Sequence, residues 1–423
     1  MKNFILKTLK IFISGLIIGF LLMIGVYLIP TGRIVDNVEK SKEILKEEGH
    51  YHYIVSGEKT TMIDNYTDSI MLNEAMYHGD EGIIDKTMNV YKYYISNDLK
   101  PLDNLDGYFN NDPLLHPHRY TRYWHGYLIF VKPLLLFLNI AGIRQINAFL
   151  QLALIVSISV LFVKKKKEKY LIPYLITIFM TTPMTVGMCL QYSSIFYIMN
   201  IALLTILLFD DKIRSKNYYN YFFLIVGMVT SFFDFLTYPL ATLGLPLILY
   251  FVYKNEKDIF NNIKDLIAKC FMWAFGYFGM WGSKLVIATI LTGKDAFKEA
   301  FNHMNDRLSS EVQSFHFSRL DAVRKNLDII INRPFIIVFL LGLIFIGYLF
   351  YKNRKDFNKN NLLKIVPFII ISIMPLVWIF MLSNHSYIHD FLEYRGLVII
   401  VFAILCGLVL ILGGENETKK KRK

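Results

Sequence analysis

The chain has 423 residues, of which 54% are hydrophobic, 15% aromatic and 19% charged. An ordinary soluble chain is about 45–50% apolar and about 25% charged, so this composition excludes a plain soluble globular protein. The 46 basic and 34 acidic residues give a formal net charge of +12. In a membrane protein such an excess indicates cytoplasmic loops and lipid headgroup contact rather than nucleic-acid binding. The three cysteines lie in apolar runs without a CxxC pair, so the sequence predicts neither a disulfide framework nor a zinc site.

The apolar runs predict an all-α polytopic membrane protein with about ten transmembrane helices. Lysines precede the first run and no small-x-small cleavage site follows it, so we expect a retained first helix with a cytoplasmic N-terminus. The predicted spans are 11–29, 144–163, 170–187, 192–209, 218–236, 238–253, 268–290, 334–351, 365–382 and 396–413.

Basic clusters follow every second span, and the positive-inside rule places these clusters in the cytoplasm. They are Lys164 to Lys167 with Lys169; Lys212, Arg214 and Lys216; Lys254 and Lys257; Lys352, Arg354 and Lys355; and Lys419 to Lys423. The sequence therefore predicts a multi-pass protein of the cell membrane with both termini in the cytoplasm.

This topology divides the chain into four parts. Residues 1–30 form the N-terminus and first helix, 31–143 an extracytoplasmic subdomain with interfacial helices, 144–413 a bundle of helices, and 414–423 a basic cytoplasmic tail. A second outer segment, 293–333, lies within the bundle. In the subdomain we expect a turn at 64–66, a helix capped by Thr67 or Asp68, a loop over 103–117 and an interfacial helix over 127–140.

Candidate functional residues occur in these outer segments, and the first are Asp64 and Asp68 in DNYTDSIML. Two carboxylates four residues apart at the start of a helix can share a face, where one acts as a base and the other orients it. A turn followed by an N-cap explains the same residues without any chemistry.

The second cluster, in HPHRYTRYWHGY, combines guanidinium, imidazole and indole groups. Arginine binds phosphate with two parallel hydrogen bonds, and aromatic rings stack on sugars. A belt at the membrane interface contains the same residue types, and the H-x-H element leaves metal binding open. The candidates for substrate binding are His116, His118, Arg119, Arg122, Trp124 and His125.

Three isolated polar residues lie at the outer ends of spans. Asp234, with Gln191 nearby, is either functional or the cap of a turn between two helices. Lys284 either extends toward the surface or meets an anionic headgroup.

The last cluster is NHSYIHDFLEYRG, with His385, His389, Tyr394 and Arg395. Four-residue spacing puts both histidines on one helical face, which favours phosphate contact, while a zinc pair and a solvated loop remain alternatives. The segment 293–333, which includes His303 and Arg307, either closes over the site or is an amphipathic surface helix.

The layout of one span, a large outer loop with acidic residues and a bundle with basic and aromatic groups at its outer rim resembles the C-type (GT-C) integral membrane glycosyltransferases. The usual Asp-Glu pair just after the first span is missing, and Asp36 is the acid near that place. The strings RYWHGY and HSYIHDFLEYR also resemble elements of membrane proteins from low-GC Gram-positive bacteria, which implies a lineage and no reaction.

The GT-C resemblance implies sugar transfer from a polyprenyl-phosphate donor to a cell-envelope glycan or glycolipid. Asp64 or Asp68 would then be the general base, and cations would stabilise the departing lipid phosphate with inversion at the anomeric carbon. No cofactor is implied, although a divalent metal remains an alternative, and membrane lipid is the other expected partner.

Three other functions fit the same sequence. A polysaccharide polymerase would make long chains, and a transporter or flippase would move a lipid-linked saccharide without covalent change. A non-catalytic envelope-assembly protein is the third of these alternatives. No P-loop, Rossmann glycine pattern, GxSxG or HExxH occurs in the chain.

Overall fold

The computed structural model describes residues 2–312, 315–354 and 359–412, with no side-chain description for 359 and 360. The predicted basic tail 414–423 lies outside the described residues, as does Lys355. The described chain is mostly helical with little sheet, which confirms the mostly α-helical fold class.

The N-terminal part contains one long helix followed by a mixed subdomain. Its helices are α1 (Lys2–Leu28), α2 (Val35–Glu48), α3 (Asn65–Met76), α4 (Ile83–Asn89), α5 (Pro101–Phe109) and α6 (Leu128–Leu134). Its strands are β1 (Tyr51–Tyr53), β2 (Met62–Asp64), β3 (Tyr91–Tyr94) and β4 (His116–Arg119). They form two antiparallel ribbons, β1 with β2 and β3 with β4, in which Tyr51 lies opposite Asp64 and Tyr91 opposite Arg119.

The helical bundle follows from residue 140. It consists of α7 (Ile140–Lys164), α8 (Leu171–Met180), α9 (Pro183–Gly187), α10 (Leu190–Ser215), α11 (Tyr219–Phe233), α12 (Ala241–Lys254), α13 (Ile259–Thr292), α14 (Phe297–Leu308), α15 (Arg319–Ile330), α16 (Arg333–Asn353), α17 (Val366–Met381), α18 (Ser383–Ile388), α19 (Asp390–Glu393) and α20 (Val398–Leu412). A third ribbon pairs β5 (Glu311–Val312) with β6 (Phe315–His316).

Among the described residues, seven helices are long and apolar enough to cross a membrane. They cover Lys2–Leu28, Ile140–Lys164, Leu190–Ser215, Ile259–Thr292, Arg333–Asn353, Asn361–Met381 and Asp390–Leu412. This confirms a multi-pass membrane protein.

The other three predicted spans fall on shorter helices. Two are α11 and α12, and the third is divided between α8 and α9. The division occurs where Thr182 adopts a left-handed conformation with φ of 55° and Pro183 begins a new helix. The count of about ten spans therefore stays a prediction.

Helices α11 and α13 pack closely because glycine lies on both sides of their crossing. A Cβ atom on Gly227 would lie 2.1 Å from the carbonyl oxygen of Trp273, and one on Gly276 would lie 2.3 Å from that of Leu224. Small residues allow two membrane helices to approach at backbone distance.

Two local predictions in the subdomain are wrong. Helix α3 begins at Asn65 and is capped by Asp64, because the Asp64 carboxylate accepts the backbone N–H of Thr67 at 3.0 Å. The supposed turn is therefore the start of the helix. Helix α5 occupies much of the expected loop 103–117, since Pro101 begins it and Leu102 and Leu105 are buried.

Candidate functional site

A cavity of about 970 Å³ lies where the subdomain meets one end of the bundle. Its walls include residues from four segments that the sequence predicts to be on the outer face, namely 31–143, 188–191, 293–333 and 383–395. The candidates from the sequence that line it are Asp64, His118, Arg119, Arg122, Gln191, His385 and His389.

Asp64 is the buried carboxylate of this cavity. It is 3% exposed at the end of β2, where its cap role points the side chain back toward α3. The Thr67 backbone N–H donates to Oδ1 at 3.0 Å and the Thr67 hydroxyl donates to Oδ2 at 2.8 Å. Burial raises the pKa of Asp64 to about 6, although these hydrogen bonds act in the opposite direction. A carboxylate with this pKa is ionised at neutral pH and is more basic than an exposed one.

Basic side chains surround the same space. Arg119, Arg122 and Arg307 line the cavity with Lys92, against the carboxylates of Asp64 and Glu299. The formal charge of these six groups is therefore +2, which favours an anionic ligand.

Arg122 is held in place at one edge and one face of its guanidinium. Its Nη1 donates to Glu299 Oε1 at 2.7 Å, and its Cζ lies 4.2 Å from the centre of the Tyr120 ring. One Nη atom of Arg119 is buried without a hydrogen-bond partner among the residues that the structure describes.

His385 and His389 lie next to each other, with ring centres 4.7 Å apart. His385 Nε2 is 2.7 Å from the Leu236 carbonyl oxygen, which requires a proton on Nε2. His389 Nε2 is 3.4 Å from Arg307 Nη1, which only donates, so this geometry puts the His389 proton on Nδ1.

Both imidazoles are neutral at pH 7. Burial lowers the pKa of His389 to about 3, with further lowering from the charges of Arg307 and Lys325, and burial also holds the pKa of His385 well below its ordinary value. The positive charge of the cavity therefore resides on arginine and lysine.

Aromatic and amide side chains form the remaining wall. Tyr51 and Tyr66 stack with nearly parallel rings whose centres are 6.1 Å apart. Exposed aromatic faces are the surfaces on which sugar rings stack, and Gln191 Oε1 nearby has no hydrogen-bond partner within the described chain.

Asp68 is directed away from the cavity. It is fully buried and accepts the backbone N–H of Leu190, the first residue of α10, at 3.2 Å. Arg144 Nη2 lies 3.9 Å from its Oδ2. Asp68 therefore caps α10 and links it to α3, a structural position.

Trp124, His125 and Lys284 form a separate buried group around Glu74. His125 Nδ1 lies 3.1 Å from Glu74 Oε2, and Lys284 Nζ lies 5.2 Å from the centre of a Trp124 ring. Trp124 also donates to the Met280 carbonyl oxygen at 2.8 Å. This group joins the subdomain to α13 and does not line the cavity.

The other candidates also have structural positions. Asp234 accepts the Thr237 backbone N–H at 3.0 Å and so caps the turn after α11. Arg395 is fully buried and donates to the carbonyl oxygens of Thr60, Thr181 and Phe391. Tyr394 contacts the Thr182 hydroxyl at 2.5 Å, and His116 is exposed on β4.

Sequence reasoning missed several residues of the cavity. Lys92 and Asn73 lie on β3 and α3, where nothing in the local pattern marked them. Glu299 on α14 was also missed, although the sequence analysis had named His303 and Arg307 of the same helix in a segment that either closes over the site or forms a surface helix. The three residues are spaced four apart, and all three line the cavity. A spacing of four residues indicates one shared helical face, so the sequence did contain a signal that groups these three residues.

In the part of the chain that the structure describes, no three or more His, Cys, Asp or Glu side chains are grouped to hold a metal ion. Comparison with protein-family models, with curated proteins and with solved structures finds no match.

Proposed function

We propose that this protein is a membrane glycosyltransferase that moves a sugar from a polyprenyl-phosphate donor to a cell-envelope acceptor. One observation carries the proposal: a single cavity combines one buried carboxylate with four cationic side chains from three stretches of the chain. Such a pairing suits a reaction that removes a proton at one end and develops negative charge at the other.

In this proposal Asp64 takes the proton from an acceptor hydroxyl while the oxygen of that hydroxyl attacks the anomeric carbon of the donor. The bond between that carbon and the phosphate oxygen breaks, and its electron pair leaves with the lipid phosphate. Arg119, Arg122 and Arg307 neutralise the phosphate, because guanidinium groups match its oxygens in geometry and charge. Displacement in one step inverts the anomeric centre.

The transporter alternative requires a polar route through the membrane. A second cavity at the opposite end of the bundle shares no lining residue with the first. Polar side chains in the helices between the two cavities form hydrogen bonds with each other. Asn147 donates to Ser193 at 2.7 Å, and Tyr174 donates to Asn200 at 2.9 Å. These pairings favour chemistry at one face over transport.

The test is transfer of a radiolabelled hexose from polyprenyl phosphate to cell-envelope glycolipids by the purified full chain in liposomes. Asp64→Asn is expected to lower the rate at least about 100-fold, as loss of a general base does. Asp36→Asn is the matched control, because Asp36 is exposed in the same subdomain, does not line the cavity and is the acid nearest the usual GT-C position.

Full activity of Asp64→Asn would reject Asp64 as the base, and loss of activity in Asp36→Asn alone would move that role to Asp36. Product length separates single-sugar transfer from polymerisation. Movement of an unaltered lipid-linked saccharide across the bilayer would instead support a flippase.

A further inference from the structure

A second cavity, of about 620 Å³, lies at the other end of the bundle. It is lined by the loop after α7, the start of α8 and the ends of α12, α16 and α20. The alternation of basic clusters predicts that all of these segments lie on the cytoplasmic side. The cavity is therefore remote from the proposed reaction, and the inference does not depend on that reaction.

The polar rim of this cavity is strongly basic. Lys166, Lys167, Lys169 and Lys352 line it, while Glu168 is the acidic residue among the lining residues that the structure describes. Lys166 and Lys352 are exposed and come from segments far apart in sequence. The formal charge of these five groups is +3, so the rim attracts anions.

Backbone geometry adds to this attraction. Leu171 and Ile172, the first two residues of α8, line the cavity, so the positive end of that helix dipole lies at its wall. Lys166 adopts a left-handed conformation with φ of 57°, and the turn it forms brings the lysine run back over the end of α7.

The deeper wall is apolar and is made by four different helices. It comprises Leu171, Ile172, Val252, Phe345, Leu349 and Leu410. A cavity for a free soluble anion has no need of such a wall, whereas an acyl chain gains free energy with each CH₂ group that it buries there.

We propose that this cavity binds an anionic phospholipid, with the phosphate at the lysine rim and the first part of an acyl chain along the apolar wall. Lys166 and Lys352 bind the phosphate from opposite sides of the cavity. The lipid thereby connects α16 to α8 and α20. A free phosphate compound shares the headgroup chemistry, and the experiment distinguishes the two sources.

The experiment measures lipid retention by native mass spectrometry of the full chain released from detergent. The probes are phosphatidylglycerol, phosphatidylcholine and soluble glycerol 3-phosphate. We expect retained phosphatidylglycerol, little phosphatidylcholine, and about tenfold weaker phosphatidylglycerol binding in the double variant Lys166→Gln with Lys352→Gln. Lys216→Gln with Lys257→Gln is the matched control, since it removes the same charge from exposed residues that do not line the cavity.

A second variant, Leu349→Trp, fills the space along the apolar wall without changing the charge. We expect it to weaken phosphatidylglycerol binding about as much as the double lysine variant does. Equal losses in the lysine pair and in its control would overturn the proposal, since binding would then follow the overall surface charge. Glycerol 3-phosphate that displaces phosphatidylglycerol at equal concentration would overturn the lipid assignment in favour of a soluble phosphate.

Discussion

Thr67 controls the proton affinity of Asp64, and the substitution Thr67→Val isolates that control. The Thr67 side chain donates one hydrogen bond to Asp64 Oδ2 at 2.8 Å, while its backbone N–H binds Oδ1 at 3.0 Å. Valine has the same shape as threonine and keeps the backbone bond, so only the hydroxyl donor is lost. Because that donor stabilises the ionised carboxylate, its loss raises the pKa of Asp64 above its present value of about 6.

The size of the shift follows from the hydrogen bond. A bond to a charged group contributes about 1.5 kcal/mol, and one pH unit corresponds to about 1.36 kcal/mol, so we expect an upward shift of about one unit. At pH 6.5 the ionised fraction of Asp64 then falls from about three quarters to about one quarter. The transfer rate should fall about threefold at pH 6.5 and stay nearly unchanged at pH 8.5.

The assay is the initial rate of sugar transfer in liposomes between pH 5 and pH 9, fitted for the acidic midpoint. Thr67→Ser is the control, because serine restores the hydroxyl and should restore the midpoint. An unchanged or lower midpoint in Thr67→Val would refute the assignment of Asp64 as the titrating base.

Three further predictions test other parts of the structure. Asp64→Asn should raise the unfolding temperature of the detergent-solubilised protein at pH 7.5, because a carboxyl whose pKa rises from 3.8 to about 6 on folding costs about 3 kcal/mol once it is ionised in both states. The gain should shrink as the pH falls through about 6 and disappear below about pH 3, where the carboxyl is protonated in both the folded and the unfolded state. Arg122→Lys should raise the KM for the donor about tenfold with an unchanged unfolding temperature, since lysine lacks the two parallel donors with which arginine binds a phosphate. An unaltered KM in the liposome assay would count against contact between Arg122 and the donor phosphate. Arg395→Lys should lower the free energy of unfolding by about 3 kcal/mol, because lysine cannot reach the three carbonyl oxygens that Arg395 binds. Wild-type stability of this variant in calorimetry would contradict the structural role of Arg395.

The multi-pass helical architecture could be predicted from the sequence because it depends on local quantities. Runs of apolar residues and the side on which lysines follow them are visible one segment at a time. The structure collects the predicted outer segments around one cavity and the predicted cytoplasmic ends around another. Which of the two ends faces the cytoplasm stays a prediction that rests on the basic clusters.

The roles of individual charged side chains could not be predicted from the sequence in the same way. Arg122 and Arg395 each occur next to tyrosine near a predicted outer membrane edge, and their local sequence patterns are similar. Arg122 lines the cavity and pairs with the half-buried carboxylate of Glu299. Every hydrogen bond that Arg395 donates within the described chain goes to a backbone carbonyl oxygen. Two of those carbonyls belong to segments more than 200 residues away and the third to α19, just before Arg395, so only the folded chain distinguishes the two arginines.

The two candidate carboxylates show the same limit on a smaller scale. Spacing of four residues predicts one shared face only if both residues belong to the helix. Asp64 instead precedes α3 as its cap, so its backbone is not helical and its side chain lines the cavity while Asp68 is directed toward the start of α10. Both carboxylates stabilise a helix end, and burial raises the pKa of both, to about 6 for Asp64 and about 7 for Asp68. They differ in access, because Asp64 lines the cavity and Asp68 is enclosed at the start of α10. A cap that also lines a cavity retains hydrogen bonds that favour its ionised form, and this combination keeps Asp64 charged at neutral pH despite its burial.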